Sequence, residues 1–214
     1  MPASFLGLPA ELRNEIYRYL LVPGEPIDPW NGDHGLVPNL LFTNSIILFE
    51  ARPFLYGHNY FYLTTGKSKQ ISRFFDGIGH INASHLQYIR IDFPQLRDVD
   101  DEVRLGEGSL RILEKIQSCC PNLRRLVTTP DSTLFMESRL DSFDSPRICA
   151  RAFALVGAHF RAVSSLQEII IEVYEEGRSS DIRKKMESQG WIFNVVEPVE
   201  EETEKVYRRM LETY

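Results

Sequence analysis

The chain has 214 residues, 43% of them hydrophobic and 25% charged, with a net charge of -6 and a pI near 5.4. That size allows one substantial core or two small lobes, and the acidic balance argues against a nucleic-acid partner, which needs clustered Lys and Arg. No apolar run approaches the roughly 20 residues of a membrane span, and the opening Met-Pro-Ala-Ser lacks the basic and apolar regions of a signal peptide, so a cytoplasmic or nuclear protein with no membrane partner is expected.

The first predicted element is a helix from about Pro9 to Leu21. Leu12, Ile16, Tyr19 and Leu20 fall at helical spacing and form an apolar stripe. Glu11 and Arg18 suit the positive and negative ends of the helix dipole. Pro23-Gly24 ends the helix, and residues 22–38, with four prolines and three glycines, read as a loop around Trp30. Asn39 is the expected cap of a second helix running to Arg52, with Leu40, Leu41, Ile47, Leu48 and Ala51 inward. Pro53 should interrupt it, with Gly57 as a left-handed cap. A short strand spans Tyr60 to Thr65, and Ile71, Phe74, Phe75 and Ile78 share one face of the helix that follows. These elements make a first lobe over residues 1–80.

From Leu86 onward strands and helices alternate. Leu86–Phe93, Leu123–Thr128 and Leu166–Val173 each open with Leu-x-x-Leu/Ile and read as strands, and Trp191–Val196 is a fourth. Helical patterns separate them at Leu110/Leu113/Ile116, at Phe153/Val156/Phe160 and around Ile182/Met186. Asp131–Ser145 reads as a polar loop, and the chain should end in an amphipathic helix over 199–213. Such alternation predicts right-handed crossovers and a mainly parallel sheet for residues 81–214, hence an α+β to α/β fold.

No catalytic pattern emerges. There is no nucleophile elbow, no P-loop and no dinucleotide fingerprint. Cys119, Cys120 and Cys149 are too few, and too unevenly placed, for a disulfide framework, and read as small buried hydrophobes. His80 and His85 lack metal-ligand spacing, and Asp98, Asp100, Asp101 and Glu102 lack the turn glycine and alternating ligands of a calcium loop. The expectation is a non-enzymatic protein with no cofactor and no metal.

The segment Leu8-Pro9-x-Glu11-Leu12-x-x-x-Ile16 resembles the opening helix of an F-box. Glu11-Leu12-Arg13 is echoed by Glu50-Ala51-Arg52, which runs into Pro53-Phe-Leu-Tyr-Gly-His-Asn-Tyr-Phe61. Together these resemble the F-box-like, two-EXR domains of filamentous-fungal proteins, over roughly residues 5–65. Where such domains often carry a Cys- and Arg-rich run, this chain reads Leu41-Phe-Thr-Asn-Ser-Ile-Ile-Leu-Phe49. Cys120-Pro-Asn-Leu-Arg-Arg-Leu126 likewise resembles the repeats of leucine-rich F-box proteins, though the spacing is longer and less even. The resemblance implies an interaction module, with the Skp-type adaptor of a cullin–RING ubiquitin ligase as partner and Leu8, Pro9, Leu12 and Ile16 as docking residues. A stand-alone interaction or effector-like protein with no ligase link is the second reading, and an enzyme whose site is assembled from distant residues the third. An exposed Leu12/Ile16 face favours docking, and a buried one makes it core. For the partner-binding face, strand alternation sends Ile89, Ile91, Leu126, Ile169 and Ile171 toward the helices. It leaves Tyr88, Arg90, Arg125, Val127, Glu168 and Ile170 on the opposite side, either open to a partner or covered by the C-terminal helix with Arg125 paired to Glu168.

Overall fold

A computed structural model describes residues 4–31, 34–64, 66–99, 102–142, 145–175 and 180–197. A 3-10 turn at Phe5–Gly7 leads to Pro9, the N-cap of helix α1 (Ala10–Leu21). Of the two orientations open to the Leu12/Ile16 stripe, the helix takes the one with Leu12 outward. Tyr17 and Leu21 are buried, whereas Leu12 is 52% and Tyr19 87% exposed. The cause is polar. Arg13 donates through Nε to Glu50 Oε2 at 2.9 Å and through Nη2 to Oε1 at 2.6 Å, and the Tyr17 hydroxyl donates to Oε2 at 2.9 Å. The arginine of the first Glu-x-Arg triplet thus grips the glutamate of the second. Apolar spacing ranks Leu12 as buried, but this bidentate pair, with Tyr17 wedged between Phe5 and Phe54, turns the other side inward.

Residues Pro38–Phe42 form a 3-10 turn, and helix α2 spans Ser45–Gly57. Its cap is Asn44 rather than Asn39, because the Asn44 side chain accepts the Ile46 N–H at 2.8 Å. Pro53 lies inside α2 and does not end it. The carbonyl it leaves without an N–H is that of Phe49, on the exposed side of the helix. Gly57 is the last helical residue, and its φ is not positive. A Cβ there would sit 3.3 Å from the His85 carbonyl oxygen, so its smallness serves close approach rather than a left-handed cap. Buried Asn59 donates to the Leu21 and Leu55 carbonyls at 2.6 and 2.8 Å, satisfying an orphan C-terminal acceptor on each helix.

Strand β1 is Tyr60–Tyr62. Ile27, from the Pro/Gly-rich loop, bridges it in parallel through Ile27 N–H to Tyr60 O and Tyr62 N–H to Ile27 O. Phe61 is 3% exposed and stacks on Tyr56 while meeting Phe74. Helix α3 (Ser68–Ala83) buries Ile71 and Phe75 and kinks at Gly79, whose φ of 76° glycine alone adopts readily. Strand β2 (Tyr88–Ile91) follows. Around the carboxylates weighed as a calcium loop, Leu96–Val99 (β3) and Glu102–Leu105 (β4) pair as an antiparallel ribbon. Helix α4 (Glu107–Cys119) leads to β5 (Arg125–Thr128).

The expected loop at Asp131–Ser145 is mostly helix: α5 spans Pro130–Ser142 and α6 Pro146–Arg161. Thr133, Met136, Glu137 and Leu140 form the buried side of α5. Glu137, 1% exposed, is paired by Arg183 at 3.0 Å, so its charge is buried with a partner. Strand β6 (Glu168–Tyr174), helix α7 (Ser180–Glu187) and strand β7 (Ile192–Val196) complete the described chain. The helix expected over 199–213 lies outside the described residues.

The fold is α/β, with five strands in the order β1-β2-β5-β6-β7, all pairings parallel. Strands placed side by side in chain order, joined by right-handed crossovers, put the connecting helices on one face. One turn recurs before three strands. Leu86, Leu123 and Leu166 each donate their N–H to the carbonyl three residues back. The Gln87 carbonyl then receives Arg124 and Arg125, and the Arg124 carbonyl receives Gln167 and Glu168. The boundary expected at residue 80 falls within α3, and β1 from before it is an edge of the same sheet as the strands after it.

Three outcomes follow. Phe61→Ala should cost about 3–5 kcal/mol in denaturant unfolding, as for other buried Phe truncations. For Glu50, the Arg13 hydrogen bond, seconded by Tyr17, holds the carboxyl below its ordinary 4.5. A depressed folded-state pKa adds stability that is complete above the unfolded value and lost as pH falls through the folded one. Thermal melts of wild type and Glu50→Gln should therefore differ by a constant amount above pH 4.5 and converge in acid. Burial, then the Glu50 contact, raises Tyr17 from 10.0 to about 12, so Tyr17→Phe should lose the alkaline unfolding limb between those values.

Candidate functional site

The sheet face away from the helices is built by strand alternation. Ile89, Ile91, Leu126, Thr128, Ile171 and Val173 point to the helices and are buried. Between them the other face carries two rows set by the strand register. Tyr60, Tyr88, Arg125 and Glu168 lie side by side, as do Tyr62, Arg90, Val127, Ile170 and Ile192. All six residues expected on this face are thus contiguous, and none is buried. Sequence reasoning left out Tyr60 and Tyr62, although the alternation Tyr-Phe-Tyr around buried Phe61 carried the signal. It also left out Ile192, 48% exposed on the edge strand.

The charges on this face are held in place. Arg125 Nε donates to Glu168 at 2.5 Å and Nη1 to the Tyr60 hydroxyl at 3.3 Å, with the guanidinium 5.6 Å from the Tyr88 ring. Arg90 pairs with Glu172 and lies 4.6 Å over Tyr62. Tyr60 stacks on Tyr88 with centroids 4.8 Å apart. The pairing of Arg125 with Glu168, expected for a covered face, occurs here while both residues keep solvent access. Side-chain exposures of 33% and 41% limit it to about 0–1 kcal/mol. Two arginines and two glutamates cancel. The rows form a neutral aromatic platform around a depression of about 400 Å³. Aromatics and arginine, held rigid before binding, are the composition of interface centres.

The second expected surface lies on α1. Leu8 and Ile16 are half-buried, Pro9 is exposed, and Leu12 is on the outer side. Arg13 Nη1 donates to the Leu8 carbonyl at 2.6 Å, so the residue that turns α1 also pins the start of this stripe.

The remaining reactive groups are placed as follows. Burial, then the neighbouring Cys119, raises the Cys120 thiol to about 12, and burial also raises Cys149. Neither offers a thiolate at neutral pH. Among the described residues no cluster of three His, Cys, Asp or Glu could hold a metal ion, and no helix is long and apolar enough to cross a membrane. The thiols and histidines singled out in the sequence therefore form no metal-binding group there.

Leu12→Asp provides a direct check of the helix orientation. Half exposed, it should shift unfolding by no more than about 0.5 kcal/mol, whereas Tyr17→Asp, burying an unpaired carboxylate, should unfold the chain. Compared with protein-family models, curated proteins and solved structures, the chain matches none of them.

Proposed function

We propose that this chain is a non-enzymatic interaction module, a substrate adaptor that docks on the Skp-type adaptor of a cullin–RING ubiquitin ligase through α1 and holds a protein client on its sheet face. The observation that carries the reading is the in-register platform of Tyr60, Tyr62, Tyr88, Arg90 and Arg125, solvent-accessible and fixed by its own ion pairs. Exposure of Leu12, with Leu8, Pro9 and Ile16 beside it, supports docking through α1. The mechanism is proximity. Two surfaces on one packed body raise the local concentration of the client at the ligase without any chemical step on this chain. The net charge of -6 fits a protein client better than a nucleic acid.

Purified chain and purified Skp-type adaptor provide the test. Capture of the adaptor by wild type, weakened at least tenfold in Leu12→Asp, which should stay folded, and unchanged in Ile170→Ala on the sheet face, is the expected pattern. Absence of capture by wild type would remove the ligase from the reading and leave a stand-alone interaction protein.

A further inference from the structure

A third surface, separate from α1's outer stripe and from the sheet face, lies in a cleft of about 340 Å³ between α1, α2 and the end of α3. Its walls are Phe49 on α2 and Ile81 beyond the Gly79 kink, 76% and 61% exposed. Ile46, 53% exposed and one helical turn before Phe49, extends the apolar track along α2. Side chains of this kind are costly to leave in water when they gather at one place. Arg52 lies in the same cleft. Its Nε–H is buried and donates to no acceptor, and none of the ion pairs among the described residues includes it. The carboxylate that also lines the cleft, Glu50, is already taken by Arg13 and Tyr17. His85, opposite, is held below its ordinary pKa by burial and by the Arg52 charge, so it adds no cation at neutral pH. Among the described residues the cleft therefore carries one partly desolvated positive charge without a counter-ion, flanked by two large apolar side chains.

We propose that this cleft binds a partner peptide in which a carboxylate side chain stands next to large apolar residues, the carboxylate on the Arg52 guanidinium and the apolar groups between Phe49 and Ile81. Charge complementarity selects that partner. A neutral apolar peptide would bury the Arg52 charge further without compensation, and a basic one would add repulsion. A carboxylate instead supplies the counter-ion that the cleft does not provide. The inference is independent of the proposed ligase docking and of the client face.

The test pans a random-peptide phage library on the full chain, on Arg52→Gln, on Phe49→Ala and on Tyr88→Ala. Wild type and Tyr88→Ala should enrich sequences with Asp or Glu beside Leu, Ile, Phe or Trp, and Arg52→Gln and Phe49→Ala should not. A synthetic copy of the enriched peptide should bind at least tenfold more weakly when its acid is changed to the amide, measured by fluorescence anisotropy. Thermal melts separate ligand binding from a structural role. Because Arg52 has no counter-ion among the described residues, Arg52→Met should keep its midpoint, whereas a fall of more than about 3 °C would show that Arg52 serves stability and overturn the proposal. No enrichment, enrichment of neutral or basic sequences, or acidic enrichment that survives Arg52→Gln would overturn it equally.

Discussion

The Glu50 carboxylate sets the geometry of the N-terminal half. It accepts a bidentate guanidinium from Arg13 and a hydroxyl from Tyr17, both on α1, while standing on α2 itself. A bidentate pair fixes direction as well as distance, so it determines how α1 rolls on α2. With that roll set, Tyr17 and Leu21 enter the core and Leu12 and Tyr19 face water. Asn59 then joins the C-terminal ends of both helices, and the residue after it begins β1. The edge of the sheet is thus positioned by a polar contact made two helices earlier.

From that edge the sheet grows in one direction. Each new strand is laid beside the last, so every crossover returns on the same side and the helices form a single layer. The recurrent turn at Leu86, Leu123 and Leu166 gives the strands a common starting level, and this is why Tyr88, Arg125 and Glu168 align rather than stagger. A sheet wound alternately on both faces would bury these positions. Here the one-sided winding leaves an aromatic and charged row to be satisfied laterally, through ion pairs and cation–π contacts between neighbouring strands.

What the sequence revealed depended on which force dominates each element. The strands at residues 88, 125 and 168 were legible, because each follows a repeated Leu-x-x-Leu/Ile opening with a short run rich in β-branched residues. The roll of α1 was not, since hydrophobic spacing favours Leu12 and Ile16 and gives no weight to a pairing partner 37 residues away. Helix α5 was hidden because its inward side mixes Met136 and Leu140 with Thr133 and Glu137, and a buried Glu reads as solvent-facing until Arg183 is placed beside it. Three of the residues that line the Arg52 cleft, Asn14, Phe49 and Ile81, sit on three helices whose packing no local pattern specifies.

The arginines divide along the same physical line. Arg13 is committed to the fold, and Arg90 and Arg125 are committed to the sheet face, each beside its own glutamate. A partner meeting the sheet face finds those charges already neutralised. It would be selected by shape and aromatic contact, with little dependence on salt. Arg52 is different in kind. Its Nε, like that of Arg90, is out of water without an acceptor, but no carboxylate among the described residues pairs with it, so part of the desolvation cost is already met before any ligand arrives. A carboxylate reaching it would gain attraction while burying little additional charge from the protein side. That asymmetry makes the cleft, more than the platform, the surface where a single charge on a partner can decide between binding and rejection.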